Sequence, residues 1–293
     1  MGELAALSAS LLWAFASVIY ARMGQYMSPL GLNLGKGVIA IALLILTLAL
    51  QNQLVPDFSI QSMVVLSCSG AIGIGIGDTV FFAALRDLGA RRTLLLQSLA
   101  PPITACLAFL VLQETLASWA WVGMSLTLVG VAWVISERTS PLMAMPPAWQ
   151  RGVSLALLAA LAQASGAVLS RFALAGTSVS PLWSALLRLC AGVLLLLVAR
   201  LLRQGTSLES LAWPSPKVWL GLFLAAFGGT YLGIWLQQVG LKYTAAGIAQ
   251  TLGATSPLFI LPMAMALGEQ VSLRAWLGAG MAVGGVALML VVA

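Results

Sequence analysis

The sequence predicts an all-α integral membrane protein whose ten transmembrane helices form two inverted-topology five-helix repeats. Three observations carry this: near-continuous hydrophobicity, the placement of the few charges, and self-similarity at a fixed offset. Of 293 residues, 61% are hydrophobic and 8% charged, with a mean hydropathy of +1.03. A soluble domain carries about 25% charged residues, so no water-soluble globule fits. A span needs about 20 apolar residues to cross the hydrocarbon. Breakers and charges divide the chain into such stretches at 4–22, 30–50, 62–85, 93–112, 118–136, 152–171, 182–200, 217–239, 246–267 and 274–292. Only Glu3 precedes the first stretch, which reads as a retained helix rather than a cleaved signal. The longest polar stretches, 51–61, 137–151 and 201–216, are too short for a soluble domain, so function resides within the bundle.

The net charge of +6 does not indicate nucleic acid, because the cations stand singly or in pairs at the ends of apolar runs. Assigning loops alternately to two faces puts Arg22, Arg86, Arg91, Arg92, Arg138, Arg151, Arg200, Arg203, Lys217 and Arg274 on one side, with Arg171 and Lys242 on the other. Positive residues near span ends favour the cytoplasm. Both termini are therefore expected outside, on the periplasmic face of a cell (inner) membrane. The linker 51–61, whose sole charge is Asp57, agrees.

Histidine is absent, which removes the commonest general base and zinc ligand. Cys68, Cys106 and Cys190 each fall inside an apolar segment and show no CxxC spacing. No metal, cofactor or catalytic residue is expected. No ATP-binding motif appears either: GIGIGDTVFF (73–82) has glycines but lacks the preceding strand and the following Lys-Ser/Thr of a phosphate loop. It reads as a close-packing or flexing stretch of span three.

Sliding the chain on itself by 155 residues superposes Pro102 on Pro257, Glu114 on Glu269, Trp121 on Trp276, Gly123 on Gly278 and Gly130 on Gly285. Near the start of each half an offset of 152 pairs Ser28-Pro29-Leu30 with Ser180-Pro181-Leu182, and Lys36 with Arg188. The expected organisation is a first repeat at 1–137, a linker at 138–151 and a second repeat at 152–293. An odd number of spans per unit turns the second copy upside down, an architecture common among transporters.

The segments YTAAGIAQTLGATSPLFILPMAMALGEQVSLRAWLGAGMAVGGVAL (243–288) and LGARRTLLLQSLAPPITACLAFLVLQETLASWAWVGMSLTLVGVAWV (88–134) resemble the EamA-type drug/metabolite transporters. Both carry a proline in the fourth span, a Glu closing it and a glycine-bearing fifth span. The resemblance implies a ten-helix exporter or exchanger of a small metabolite, an amino acid or related compound, with a central cavity in the lipid bilayer, as monomer or homodimer. Two other readings stand beside it: a membrane structural or assembly subunit, and an intramembrane enzyme. The enzyme reading meets an immediate obstacle, since Asp78 is the sole acid placed deep in a span and a lone acid is not a dyad.

Ionisable groups within a span are costly and are functional candidates by default. Lys36 and Asp78 both fall about 10 Å from the cytoplasmic side at 1.5 Å per residue, so they can pair, as a structural ion pair or as a gate or coupling site. Lys36 has the alternative of snorkelling to the interface. Arg188 has no acid supplied by symmetry, because the counterpart of Asp78 is Gly233. Its planar fork suits a substrate carboxylate or phosphate; the plainer reading has it reach the outer interface or Glu114. Pro101 and Pro102 in span four, and Pro257 and Pro262 in span nine, are helix-break or gating candidates. Gln97, Gln250 and Thr251 cluster beside them, and Tyr231 and Trp235 are aromatic cavity-lining candidates. Glu114 is read as a capping or turn residue. Gly123, Gly130, Gly280 and Gly284 are candidates for close helix or subunit contact.

Overall fold

The computed structural model describes residues 1–23, 26–56, 58–88, 90–136, 148–202, 216–256, 258–259, 262 and 272–292. Among these, all regular structure is helical. The order is α1 (Gly2–Met23), α2 (Pro29–Leu50), α3 (Ile60–Gly70), a π-helical segment (Ala71–Asp78), α4 (Thr79–Leu88), α5 (Ala90–Gln97), α6 (Ala100–Leu112) and α7 (Ser118–Ser136). Then come α8 (Trp149–Leu174), α9 (Pro181–Leu202), α10 (Pro216–Ala225), a second π-helical segment (Ala226–Leu232), α11 (Gly233–Tyr243), α12 (Ala246–Gly253) and α13 (Leu273–Val292).

Among the described residues, six continuous helical stretches are long and apolar enough to cross a membrane: Gly2–Tyr20, Leu30–Leu50, Ile60–Leu88, Trp149–Leu174, Pro181–Leu202 and Pro216–Tyr243. Ala100–Leu112, Ser118–Val134 and Leu273–Met289 are shorter apolar helices. The outward surface carries Leu46, Leu50, Leu110, Val111, Phe172, Leu194 and Trp276, whereas Ala, Gly, Ser and Thr fill much of the interior together with Lys36 and Arg188. Large apolar residues outside and small residues between helices are what lipid as solvent selects.

Local chemistry sets the helix ends. Ser28 accepts from the Gly31 amide at 3.2 Å with Pro29 in the first turn of α2, and Ser59 does the same for Ser62 at the start of α3. Gln113 closes α6 in the left-handed region at φ 56°. The proline break expected within 93–112 is visible: α5 stops at Gln97, Ser98 and Leu99 turn, and Pro101 and Pro102 sit in the first turn of α6, where a missing amide costs least. The second half turns at the equivalent place, with α12 ending at Gly253 before Ala254 and Thr255. Pro257 and Glu269 lie outside the described residues, and Pro262 is exposed.

The two π-helical segments lie 155 residues apart, the same offset that relates the two halves of the sequence. A π-turn disturbs the local ladder, and side chains answer carbonyls in both. Asn33 Nδ2 donates to Ile74 O at 3.2 Å and Thr79 Oγ1 to Gly75 O at 2.7 Å; Trp13 Nε1 donates to Gly229 O at 2.8 Å. The glycines of the first segment and its flank bring backbones together, since a Cβ on Gly70 would lie 2.0 Å from Arg188 O.

Helices α7 and α13 pack glycine to glycine, with Gly123 against Gly285 and Gly130 against Gly278 and Ala282. Gly280 and Gly284 do not share in this contact. No atom lies within 4 Å of a Cβ built on Gly280, and Gly284 meets only Leu126, at 4.0 Å. They occupy the outward face, half a turn from the seam.

Candidate functional site

Lys36 is carried by α2 on the face turned inward, and Asp78 stands where the first π-helical segment hands over to α4. The ammonium is 2.5 Å from Asp78 Oδ2, and Lys36 is only 6% exposed. Lys36 therefore does not snorkel: a carboxylate within reach outweighs the strain of extending the chain to the interface. Its charge also lies 5.0 Å from the Phe82 ring centre and 5.9 Å from that of Tyr20. Tyr20 in turn shares a hydrogen bond of 2.8 Å with Thr230 in the second π-helical segment. One polar cluster thus joins α1, α2, α4 and both π-helical segments.

Arg188, on α9, is 2% exposed, and its Nε and Nη1 have no hydrogen-bond partner among the described residues. The guanidinium lies against Gly73, whose missing side chain leaves it room: a Cβ there would be 3.2 Å from Nη2. Among the described residues, two cations and one carboxylate therefore share this part of the bundle, Lys36 paired and Arg188 without a partner for Nε and Nη1.

The expectation that Arg188 reaches the outer interface or Glu114 fails on both counts. Arg188 is buried, and Glu114 belongs to Arg171, with Nε to Oε1 at 2.5 Å. Arg171 Nη1 also donates to the carbonyls of Leu241 and Lys242 at 3.0 and 2.7 Å, at the end of α11. Glu114 Oε2 accepts from the Ala246 amide at 3.0 Å, so the carboxylate caps the first turn of α12 rather than of its own helix. Lys242 Nζ donates to Val179 O, and Thr244 Oγ1 to Glu3 Oε1, both at 2.7 Å. These contacts tie one end of the bundle together. At the opposite end Asp87 faces Arg151 at 3.5 Å and Arg86 at 3.8 Å.

The EamA-like transporter family model matches residues 1–136 and 150–291, nearly the whole chain in two copies. The chain belongs to the EamA-like transporter family. No curated protein matches it in sequence. Among 29 matching solved chains, one described only as a protein has a TM-score of 0.81 at 18% identity, over 99% of this chain and 97% of that one. At that identity the likeness shows the fold. The chain is therefore an integral membrane protein of a transporter family.

The remaining candidates of this EamA-like protein fall into separate places. Tyr231 and Trp235 lie in the apolar seam of α2, α9 and α11 with Leu44, Leu48 and Ile234, and the Tyr231 hydroxyl is engaged by Thr47 at 2.7 Å. Thr251 is fully buried and donates to the Gly247 carbonyl of its own helix at 2.7 Å. Gln97 is half-buried on α5 with Oε1 unpartnered among the described residues. Gln250 is 6% exposed with Nε2 unpartnered, and it lines a cleft with Ala6, Ala9, Trp13, Gln237 and Gly253. The sequence reading passed over Asn33, Phe82 and Gln237. Asn33 lies three residues before Lys36 on one helix face, a spacing that offers a signal.

Proposed function

We propose that the protein is a secondary transporter that exports or exchanges a small carboxylate-bearing metabolite, an amino acid or related compound, by alternating access. The observation that carries this is the buried guanidinium of Arg188, whose Nε and Nη1 have no partner among the described residues, beside the satisfied Lys36–Asp78 pair. A planar cation held in a low-dielectric interior without its hydrogen bonds is costly unless a ligand supplies them. A purely structural subunit has no use for that cost.

The reading includes ten spans in two inverted halves, 1–137 and 152–293, joined by 138–151. Its support is the sorting of contacts by end. Glu3 meets Thr244, Gln53 O accepts from Trp183 at 2.9 Å, and Glu114 meets Arg171, all at the end expected outside. Asp87 with Arg86 and Arg151 marks the end expected in the cytoplasm. The outer contacts act as a closure, and the two π-helical segments provide places where spans three and eight bend as it opens.

Uptake of radiolabelled amino acids and other carboxylates into proteoliposomes tests the reading. Arg188→Lys keeps the charge but loses the planar fork, so transport should fall about tenfold or more with the protein still folded. Absence of flux for every carboxylate tested, or unchanged flux in Arg188→Lys, would sink it.

A further inference from the structure

Away from the charged cluster, a groove of about 320 Å³ opens between the ends of α6 and α8, lined by Val111, Leu112, Glu114, Arg171, Phe172 and Ala175. Its volume is that of a small-molecule site, about 300–1,000 Å³. Its walls are apolar and turned outward, with Val111 57% and Phe172 46% exposed. In an integral membrane protein such a surface meets acyl chains. Glu114 and Arg171 stand at one end of the groove, close to where α6 stops at Leu112 and α8 at Leu174. Because α8 is long and apolar enough to cross a membrane, its end lies near headgroup depth. The groove therefore runs from hydrocarbon to the charged interface.

The ion pair in the groove is not sealed off. The side chains of Arg171 and Glu114 are 17% and 18% exposed, unlike the nearly buried Lys36. Arg171 spends Nε on Glu114 and Nη1 on the carbonyls of Leu241 and Lys242, which leaves Nη2 accessible and without a hydrogen bond among the described residues. Glu114 accepts one bond on each oxygen, from Arg171 on Oε1 and from the Ala246 amide on Oε2. A carboxylate oxygen has room for a second. A cationic donor and an anionic acceptor thus remain open side by side, at the end of a channel walled by apolar side chains.

We infer that this groove binds one phospholipid with a phosphoethanolamine headgroup. The phosphate meets the free edge of the Arg171 guanidinium, a planar donor suited to it. The primary ammonium donates to Glu114, and one acyl chain lies along Val111 and Phe172. Charge complementarity selects this headgroup. A glycerol headgroup brings a phosphate but no cation, and so adds negative charge beside Glu114 with nothing to offset it. A choline headgroup has the cation but no N–H to donate. The site is independent of Arg188 and of the substrate. It does bear on the surrounding fold, because the same two side chains hold the end of α11 and the first turn of α12.

The test is native mass spectrometry of the purified, delipidated full-length protein with phosphatidylethanolamine, phosphatidylcholine and phosphatidylglycerol of identical acyl chains. The native protein should retain one ethanolamine lipid at about tenfold lower concentration than either of the others, the worth of one charge-assisted hydrogen bond. Ala175→Trp puts an indole into the groove while leaving both charges in place, and should weaken ethanolamine lipid binding about tenfold or more. Glu114→Gln should bring the ethanolamine and choline lipids to parity; if it fails to fold, Ala175→Trp decides alone. Equal retention of the three lipids, ethanolamine lipid binding unchanged in Ala175→Trp, or a preference that survives Glu114→Gln overturns the site. So does a doubled mass free of lipid, which would put a second copy of the chain over the groove. Carboxylate flux is measured separately, so the function proposed above stands or falls without this site.

Discussion

At position 78 the first repeat carries a carboxylate that holds Lys36; at the equivalent position 233 the second repeat carries glycine, and the Trp13 indole lies there instead. A Cβ on Gly233 would fall 2.7 Å from Trp13 Nε1, which is itself donating to Gly229 O. The second repeat thus exchanges an acid for space. Arg188, the counterpart of Lys36, is paired with no acid among the described residues and turns its guanidinium toward Gly73 of the first repeat. The same duplicated position yields a neutralised cation in one half and an unneutralised one in the other. Duplication gives the scaffold, and its breakage gives the charge that a ligand can answer.

The largest expected effect comes from breaking the satisfied half. Asp78→Leu leaves the Lys36 ammonium buried without its partner and should cost about 3–5 kcal/mol in stability. Adding Lys36→Met should recover most of that loss, and thermal melts of the two singles and the double read the coupling; additive effects would remove the pair from the argument. The other half should respond in the opposite sense. Arg188→Met removes a buried cation with unpartnered nitrogens, so the ligand-free protein should gain about 1–3 kcal/mol while flux is lost. A destabilised Arg188→Met protein would mean that the guanidinium is already satisfied in the fold.

Space is the next test of the comparison. Gly233→Ala forces the new methyl against the indole and should cost about 1–3 kcal/mol, partly relieved by Trp13→Phe, which also gives up the bond to Gly229. The smallest effect belongs to α13. Gly284→Ala, on the outward face, should lie within about 0.5 kcal/mol of neutral. Gly285→Ala, whose Cβ would meet Gly123 O at 2.5 Å, should separate α7 from α13. Equal melting temperatures for these two variants would place the seam elsewhere.

Parts of this were open to reading without coordinates. The break in span four followed from Pro101 and Pro102, because a residue without an amide fits only the start of a helix. Lys36 and Asp78 could be paired from depth alone, since both charges fall the same number of turns from one end. Arg171 and Glu114 were not paired, although both are expected at span ends on one side, because span order does not tell which helices neighbour each other. Glycine spacing on α13 left two faces open, and only the position of α7 selects Gly278 and Gly285 over Gly280 and Gly284.

Hydropathy, loop charge and internal offset are properties of short stretches that add along the chain, so the sequence by itself determined a helical membrane protein made of two related halves. It also singled out Lys36, Asp78 and Arg188, because an ionisable group in an apolar run stands out against its neighbours whatever the fold. Tertiary structure decided the partners. That Asp78 serves Lys36, that Trp13 occupies the place of a missing acid, and that Arg188 and Gln250 keep donors unanswered among the described residues depends on which side chains converge across helices far apart in sequence. Convergence is set by helix rotation and by close approach at glycines, neither of which any single stretch of sequence contains.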